Sequence, residues 1–91
     1  MTIAVRLFGE LKEKAPKRDA SGTIGLLELN HEVGTIGDII HTLGLEEKDV
    51  SHLFLNGDYS GPGRKVEDGD TVSIFPRSMA LLYKWYFSGR E

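Results

Sequence analysis

The stretch Val66-Glu67-Asp68-Gly69-Asp70-Thr71-Val72-Ser73-Ile74-Phe75-Pro76 decides how the rest of the chain is arranged. Glu67 to Asp70 is polar with one glycine among them, as a tight turn requires, because Gly takes positive φ without steric cost. Beyond the turn, Val72 and Ile74 alternate with Thr71, Ser73 and Phe75, the period of a strand with two different faces. Pro76 has no N–H to give to a ladder and ends the strand. The strand is therefore the platform from which the C-terminal segment leaves.

Working outward, Ile3, Val5 and Leu7 alternate with Ala4, Arg6 and Phe8, a first strand with one apolar face. Residues 9–22 form a polar connection with Pro16 in its middle and a helical turn over residues 10–14. A second strand follows over residues 23–31, with Leu27 and Leu29 pointing inward. The pair reads as a hairpin with an enlarged loop, not a two-residue turn. Thr35 is a suitable N-cap, and Asp38 stands three residues later as in a capping box. Ile36, Ile39, Ile40 and Leu43 then fall at i, i+3, i+4 and i+7 and make one buried helical stripe. Gly44 closes the helix in the left-handed conformation, with Leu45 as its apolar partner. Residues 46–52 are a charged connector with a short helical turn, and Leu53-Phe54-Leu55 is a strand stopped by the reverse-turn pair Asn56-Gly57. Residues 59–65, with Gly61-Pro62-Gly63, read as loop. The order strand, strand, helix, strand, strand predicts an α+β domain with one main helix on a mixed sheet of four to five strands. Its first and last strands are parallel neighbours if a long crossover carries the helix over the sheet.

A chain of 91 residues fits one domain. Hydrophobic residues at 40% and charged residues at 27% are ordinary globular values. With no cysteine, disulfides, thiolate metal sites and a cysteine nucleophile are excluded, and the composition suits a reducing, cytoplasmic setting. The N-terminal residues lack a basic segment followed by an apolar run, so no signal peptide is expected, and no stretch reaches the roughly 20 apolar residues of a membrane span. A net charge of −3 offers no electrostatic basis for nucleic-acid binding, which needs clustered Lys and Arg.

Catalytic and metal-binding signals are equally lacking. His31, His41 and His52 are too scattered to suggest a metal site. Asp38 reads as a cap, and Asp68 and Asp70 read as turn residues flanking Gly69. Ser60-Gly61-Pro62-Gly63 lacks the Lys-Ser/Thr pair and subsequent helix of a phosphate loop. The expectation is a protein that is not an enzyme and carries no cofactor.

The words Val5-Arg6-Leu7-Phe8-Gly9-Glu10-Leu11, Thr35-Ile36-Gly37-Asp38-Ile39-Ile40 to Leu43-Gly44-Leu45, Leu55-Asn56-Gly57, and Glu67-Asp68-Gly69-Asp70 to Ile74-Phe75-Pro76 occur in one order. In that order they resemble the MoaD/ThiS family of ubiquitin-like β-grasp sulfur carriers, the MoaD type being the small subunit of molybdopterin synthase. The resemblance covers about residues 1–77 and implies a ubiquitin-like β-grasp domain there, succeeded by an apolar extension, 78–91. It implies a role in molybdopterin-type cofactor synthesis and a partner that is an E1-like activating enzyme or a large synthase subunit. Members of that family end in Gly-Gly, whose last carboxyl group is adenylated and converted to a thiocarboxylate. Here the only glycine after Pro76 is Gly89, which becomes the sulfur-carrying terminus if the chain is processed after it. The alternative is a non-catalytic ubiquitin-like binding or assembly module that has lost sulfur transfer.

Two surfaces are expected to meet partners. If Val5 and Val72 face the helix, Arg6, Phe8, Ser73 and Phe75 face away from it on adjacent strands, and Phe8 and Phe75 form an apolar patch. The tail, residues 79–87, has Lys84 as its one charge. As a strand it would place Leu81, Tyr83, Trp85 and Phe87 on one face; as a helix it would cluster Leu81, Leu82 and Trp85. Either it covers the domain's own sheet or mediates self-association, or it docks a partner, with Leu81, Trp85 and Tyr86 as anchors, since aromatic side chains dominate binding hot spots.

Overall fold

Val72 and Ile74 sit at the centre of the protein with no exposed surface. The computed structural model describes residues 1–79. One mixed sheet contains β1 (Ile3–Leu7), β2 (Lys17–Arg18), β3 (Gly25–Leu29), β4 (Val50–Leu55), β5 (Asp58–Ser60) and β6 (Thr71–Pro76), in the spatial order β2-β3-β1-β6-β4-β5. β1 and β6 run parallel with Val5 opposite Val72 and Leu7 opposite Ile74, as the element order predicts. The other pairings are antiparallel.

The sheet is wider than the four to five strands expected. Lys17 and Arg18 pair with Leu26 and Gly25 inside what the sequence presents as a polar connection. Asp58–Ser60, which the sequence presents partly as loop, pairs back on β4 with Leu55 opposite Asp58. The cause is the turn: Asn56 at φ 50° and Gly57 at φ 89° are both left-handed, the two-residue geometry that returns a chain in register with the strand it has just left. Both added strands are short and lie at the sheet edges, where propensity says little.

The main helix, α1 (Ile36–Thr42), starts as predicted. Thr35 accepts a hydrogen bond from Asp38 N, and the Asp38 carboxylate accepts from Thr35 N in return. Ile36 N donates to Arg64 O at 3.0 Å and Gly37 N to Pro62 O at 2.8 Å. The loop at residues 61–64 thus supplies acceptors that helix starts otherwise lack. Gly37 permits that approach, because a Cβ there would stand 3.1 Å from Pro62 O. Gly44 closes the helix at φ 77°. A 3₁₀ turn at Gly9–Lys14 occupies the expected helical turn, and others precede β4 (Glu47–Asp49) and succeed β6 (Arg77–Met79).

Ile36, Ile39 and Ile40 pack on Ile3, Val5, Leu7, Leu29, Leu53, Leu55, Val72 and Ile74. Each such side chain, once fully buried, stabilises the fold by about 1.5–3 kcal/mol. The turn before β6 is held from both sides. Asp70 accepts from Asn56 Nδ2 at 2.9 Å and from Glu67 N at 2.7 Å, while Asn56 Oδ1 accepts from Thr71 N at 2.8 Å. These bonds, the one from Asn56 foremost, hold the Asp70 carboxyl below the ordinary aspartate range.

Replacing Thr35 by Ala is expected to lower stability by about 1 kcal/mol in chemical denaturation, with Thr35→Ser retaining most of it. Asp70→Asn tests the second anchor. The ionised carboxylate contributes stability that is present above the unfolded aspartate value of about 3.9 and is lost as pH falls through the lower folded value. The stability gap between wild type and D70N should therefore narrow as denaturation is repeated at falling pH across that window. A constant gap would contradict the assignment.

Candidate functional site

The parallel register that buries Val5 and Val72 against α1 turns the alternate residues to the opposite face. Arg6 stands beside Ser73, and Phe8 N donates to Ile74 O at 3.1 Å, extending the ladder one step past β1. That step brings Phe8 alongside Phe75, with ring centroids 4.2 Å apart and planes 12° from parallel. Phe54 meets the edge of Phe75 at 5.5 Å and 68°, and Tyr59 packs on Phe54 at 5.3 Å. Tyr59 also packs on His52 at 5.3 Å, with its hydroxyl 2.7 Å from His52 Nδ1. The Arg6 guanidinium lies 5.8 Å from the Phe8 ring centroid, within cation–π range. An aromatic strip therefore crosses the sheet from the end of β1 over β6 and β4 to β5.

Burial varies along the strip. Phe8 and Phe54 are half-buried, Tyr59 is 59% exposed, and Phe75, expected as part of an exposed patch, retains only 8%. Stacking by Phe8 and edge contact from Phe54 account for part of that burial. The sequence reading paired Phe8 with Phe75, and the two do meet. It missed Phe54, Tyr59 and His52. The signal for two of them was present: counting outward from a two-residue Asn56-Gly57 turn sets Leu55 opposite Asp58 and Phe54 opposite Tyr59, as observed. Leu81, Trp85, Tyr86 and Gly89 lie outside the described residues.

The chain leaves this face by a fixed root. Ser51 Oγ donates to Pro76 O at 2.7 Å, Arg77 Nε donates to Lys48 O at 3.1 Å, and Ser78 Oγ donates to Glu10 Oε1 at 2.5 Å. The groove beside this root is lined by Glu10, Lys14, Gly44, Lys48, Asp49 and Arg77, a mixture of charges with no arrangement of acid, base and nucleophile. Asp68 accepts from Thr2 N at 2.7 Å and Asp70 from the turn, so both carboxylates serve structure. Asp19 is likewise committed, its carboxyl held low chiefly by the Ile24 N–H. The α1 N-terminus has its N–H groups taken up by Arg64, Pro62 and Thr35, which leaves no anion site there. Among the described residues, no group of three or more His, Cys, Asp or Glu is placed to share a metal ion, and no helix is long and apolar enough to cross a membrane.

A family model for the Mut7-C ubiquitin domain matches residues 1–81, nearly the whole chain. The chain belongs to the Mut7-C ubiquitin family. No curated protein matches it. Among solved structures this Mut7-C ubiquitin domain is similar to SAMP1 from Haloferax volcanii, with a TM-score of 0.60 at 18% identity over 84% of this chain and 94% of that one. It is also similar to a Pyrococcus furiosus protein described as molybdopterin converting factor, subunit 1, with a TM-score of 0.59 at 22% identity over 84% of this chain and 97% of that one. At these identities the likeness establishes the ubiquitin-like β-grasp fold, which the six-stranded sheet and single main helix display.

The Phe8–Phe75 stack is expected to show a coupling of about 0.5–1.5 kcal/mol in a double-mutant cycle with alanine at each position, read by denaturation. Additive single effects would mean that the rings are neighbours without mutual stabilisation.

Proposed function

We propose that this protein is a non-catalytic ubiquitin-like carrier that docks a protein partner through its aromatic sheet face and delivers its C-terminal segment to that partner. The carrying observation is the aromatic strip Phe8, Phe75, Phe54 and Tyr59 beside the root of the C-terminal segment. Aromatic side chains give large contact area at low entropic cost and dominate interface hot spots. The partner class is an E1-like activating enzyme or a large synthase subunit, and the setting is cytoplasmic. Residues 1–77 act as the docking domain and 78–91 as the delivered extension, with Leu81, Trp85 and Tyr86 as further anchors.

In the carrier reading, removal of Arg90 and Glu91 leaves Gly89 with the terminal carboxylate. An oxygen of that carboxylate attacks the α-phosphorus of ATP on the activating enzyme, and pyrophosphate leaves. A donor sulfur then displaces AMP, leaving a thiocarboxylate. The enzyme supplies ATP and sulfur; this chain supplies the carboxyl group and the docking face. Likeness to a protein described as a molybdopterin converting factor subunit supports a molybdopterin-type product. A second reading, a ubiquitin-like binding or assembly module without transfer chemistry, is favoured by Phe87-Ser88 immediately before Gly89, since bulky side chains lack glycine's freedom to thread a narrow channel.

Intact-mass measurement of the protein from its own organism separates the two. A chain ending at Gly89 with one oxygen replaced by sulfur is the carrier outcome, and a full-length unmodified chain leaves the binding module. The docking face has its own check. Tyr59→Glu is expected to weaken capture of the activating or synthase partner at least tenfold without loss of folding, and unchanged capture would move the interface elsewhere.

A further inference from the structure

The turn Asn56-Gly57 joins β4 to β5 and is the one place in the sequence where an asparagine precedes a glycine. That pair is chemically reactive. The backbone nitrogen of Gly57 can attack Cγ of the Asn56 side-chain amide, because glycine has no side chain to shield it. The new C–N bond closes a succinimide ring, the amide proton goes to solvent, and the Cγ–Nδ2 bond breaks to release ammonia. Water then opens the ring at either carbonyl and leaves aspartate or isoaspartate. The net change takes up water and loses ammonia, with no oxidant, metal or enzyme. Both residues are exposed, and no heavy atom stands within 4 Å of where a Gly57 Cβ would be. Water and base therefore reach the turn.

The side chain of Asn56 is not equally free. Its Oδ1 accepts from Thr71 N at 2.8 Å, and its Nδ2 donates to Asp70 Oδ1 at 2.9 Å. Asn56 N donates to Thr71 O at 2.8 Å, and Glu67 N fixes the other oxygen of Asp70 at 2.7 Å. Closing the succinimide ring requires rotation about Cα–Cβ of Asn56 and about its bond to the carbonyl carbon. The first rotation swings the amide away from both of its partners. The second is resisted by the left-handed turn, which is held closed by the pairing of Leu55 with Asp58.

We propose that Asn56 is a self-modification site which the clamp of Asp70 and Thr71 keeps unreacted, and that its conversion to aspartate or isoaspartate is a one-way release of the β4–β5 hairpin from the start of β6. The product cannot remake the clamp. A carboxylate at position 56 has no N–H to give Asp70, and it sets a second negative charge against the first. The Asp70 carboxyl, held low chiefly by the bond from Asn56, is then pushed up by a like charge instead. Isoaspartate also lengthens the backbone of a turn whose two-residue geometry fixes the register of β5 on β4. Phe54 and Tyr59 face each other one step beyond that turn, so the hairpin that loosens is the one carrying the outer part of the aromatic strip. This chemistry belongs to the chain alone and holds whether or not a partner docks on the strip.

Asn30 and Asn56 are the only asparagines and there is no glutamine, so intact mass reports deamidation cleanly and peptide mapping assigns it. The full chain and a synthetic peptide of residues 53–60 are to be incubated side by side in mildly alkaline buffer. The peptide is expected to convert at position 56 and the folded chain to lag it by about tenfold or more, since one hydrogen bond to a charged group is worth at least that factor. Asp70→Ala should bring the rate toward that of the peptide while amide exchange shows β1 and β3 still protected. In the unaltered chain the slowing should match the exchange protection of the Thr71 amide, which opens with the clamp, and fall short of that of the Val5 amide in the core. Asn56→Asp, which stands for one product, should lower stability in denaturation and raise the pH at which Asp70 titrates. A folded chain that converts as fast as the peptide overturns the proposal, and so does conversion confined to Asn30. Slowing that matches the Val5 amide overturns it too, because global unfolding would then be the gate. Unchanged stability and Asp70 titration in Asn56→Asp would remove the release. Should Asp70→Ala fail to fold, the comparison with the Thr71 amide decides without it.

Discussion

The parallel pairing of β1 with β6 is the constraint on which the rest of the structure depends. Parallel neighbours cannot be joined by a tight turn, so the chain between them must supply the remaining strands, the helix and the crossings from one side of the sheet to the other. The pair lies at the middle of the sheet, with β3 on one flank and β4 on the other. Its register decides both faces at once. With Val5 opposite Val72 and Leu7 opposite Ile74, four aliphatic side chains meet α1, and a slip of one residue would drive Phe75 into that core and Ile74 out of it. The hydrogen bond from Phe8 to Ile74 carries the pairing past the strand end and seats one phenylalanine on the other.

The two faces are chemically unlike. Against α1 the sheet is aliphatic and closely packed, dominated by Ile, Leu and Val, which stabilises the fold and has no polar handle for recognition. The opposite face is aromatic from Phe8 to Tyr59, and Tyr59 ends in a hydroxyl bonded to His52, so it joins apolar area to a directional group. The sheet edges are poor places for a partner strand to add. β2 contributes only Lys17 and Arg18, and β5 only Asp58, Tyr59 and Ser60; short charged edges discourage strand addition.

Sequence pattern revealed those parts of the fold whose causes are local. Thr35 and Asp38 cap α1 because their side chains reach backbone groups three residues away, and Ile36, Ile39 and Ile40 are buried because helical period puts them on one stripe. The turn at Gly69 and the strand it opens are local in the same sense. The features that escaped were non-local. β2 exists because Lys17 and Arg18 find Leu26 and Gly25 across a folded loop, and Gly25 allows the close packing there: a Cβ would meet Lys12 Cα at 2.8 Å. The loop at residues 61–64 looks inert in sequence, yet its carbonyl groups receive the first N–H donors of α1. At the candidate site, alternation on two separate strands was enough to pair Phe8 with Phe75. Phe54 and Tyr59 required the register of a third and fourth strand, which rests on the turn geometry of Asn56 and Gly57.

The geometry ties the last described residues to the aromatic face. Arg77 and Ser78 are held to Lys48 and Glu10, a few residues from the Phe8–Phe75 stack. These bonds involve exposed side chains, each worth about 1 kcal/mol or less. The same register that makes the fold stable thereby brings the Phe8–Phe75 stack and the end of β6 to one end of the sheet.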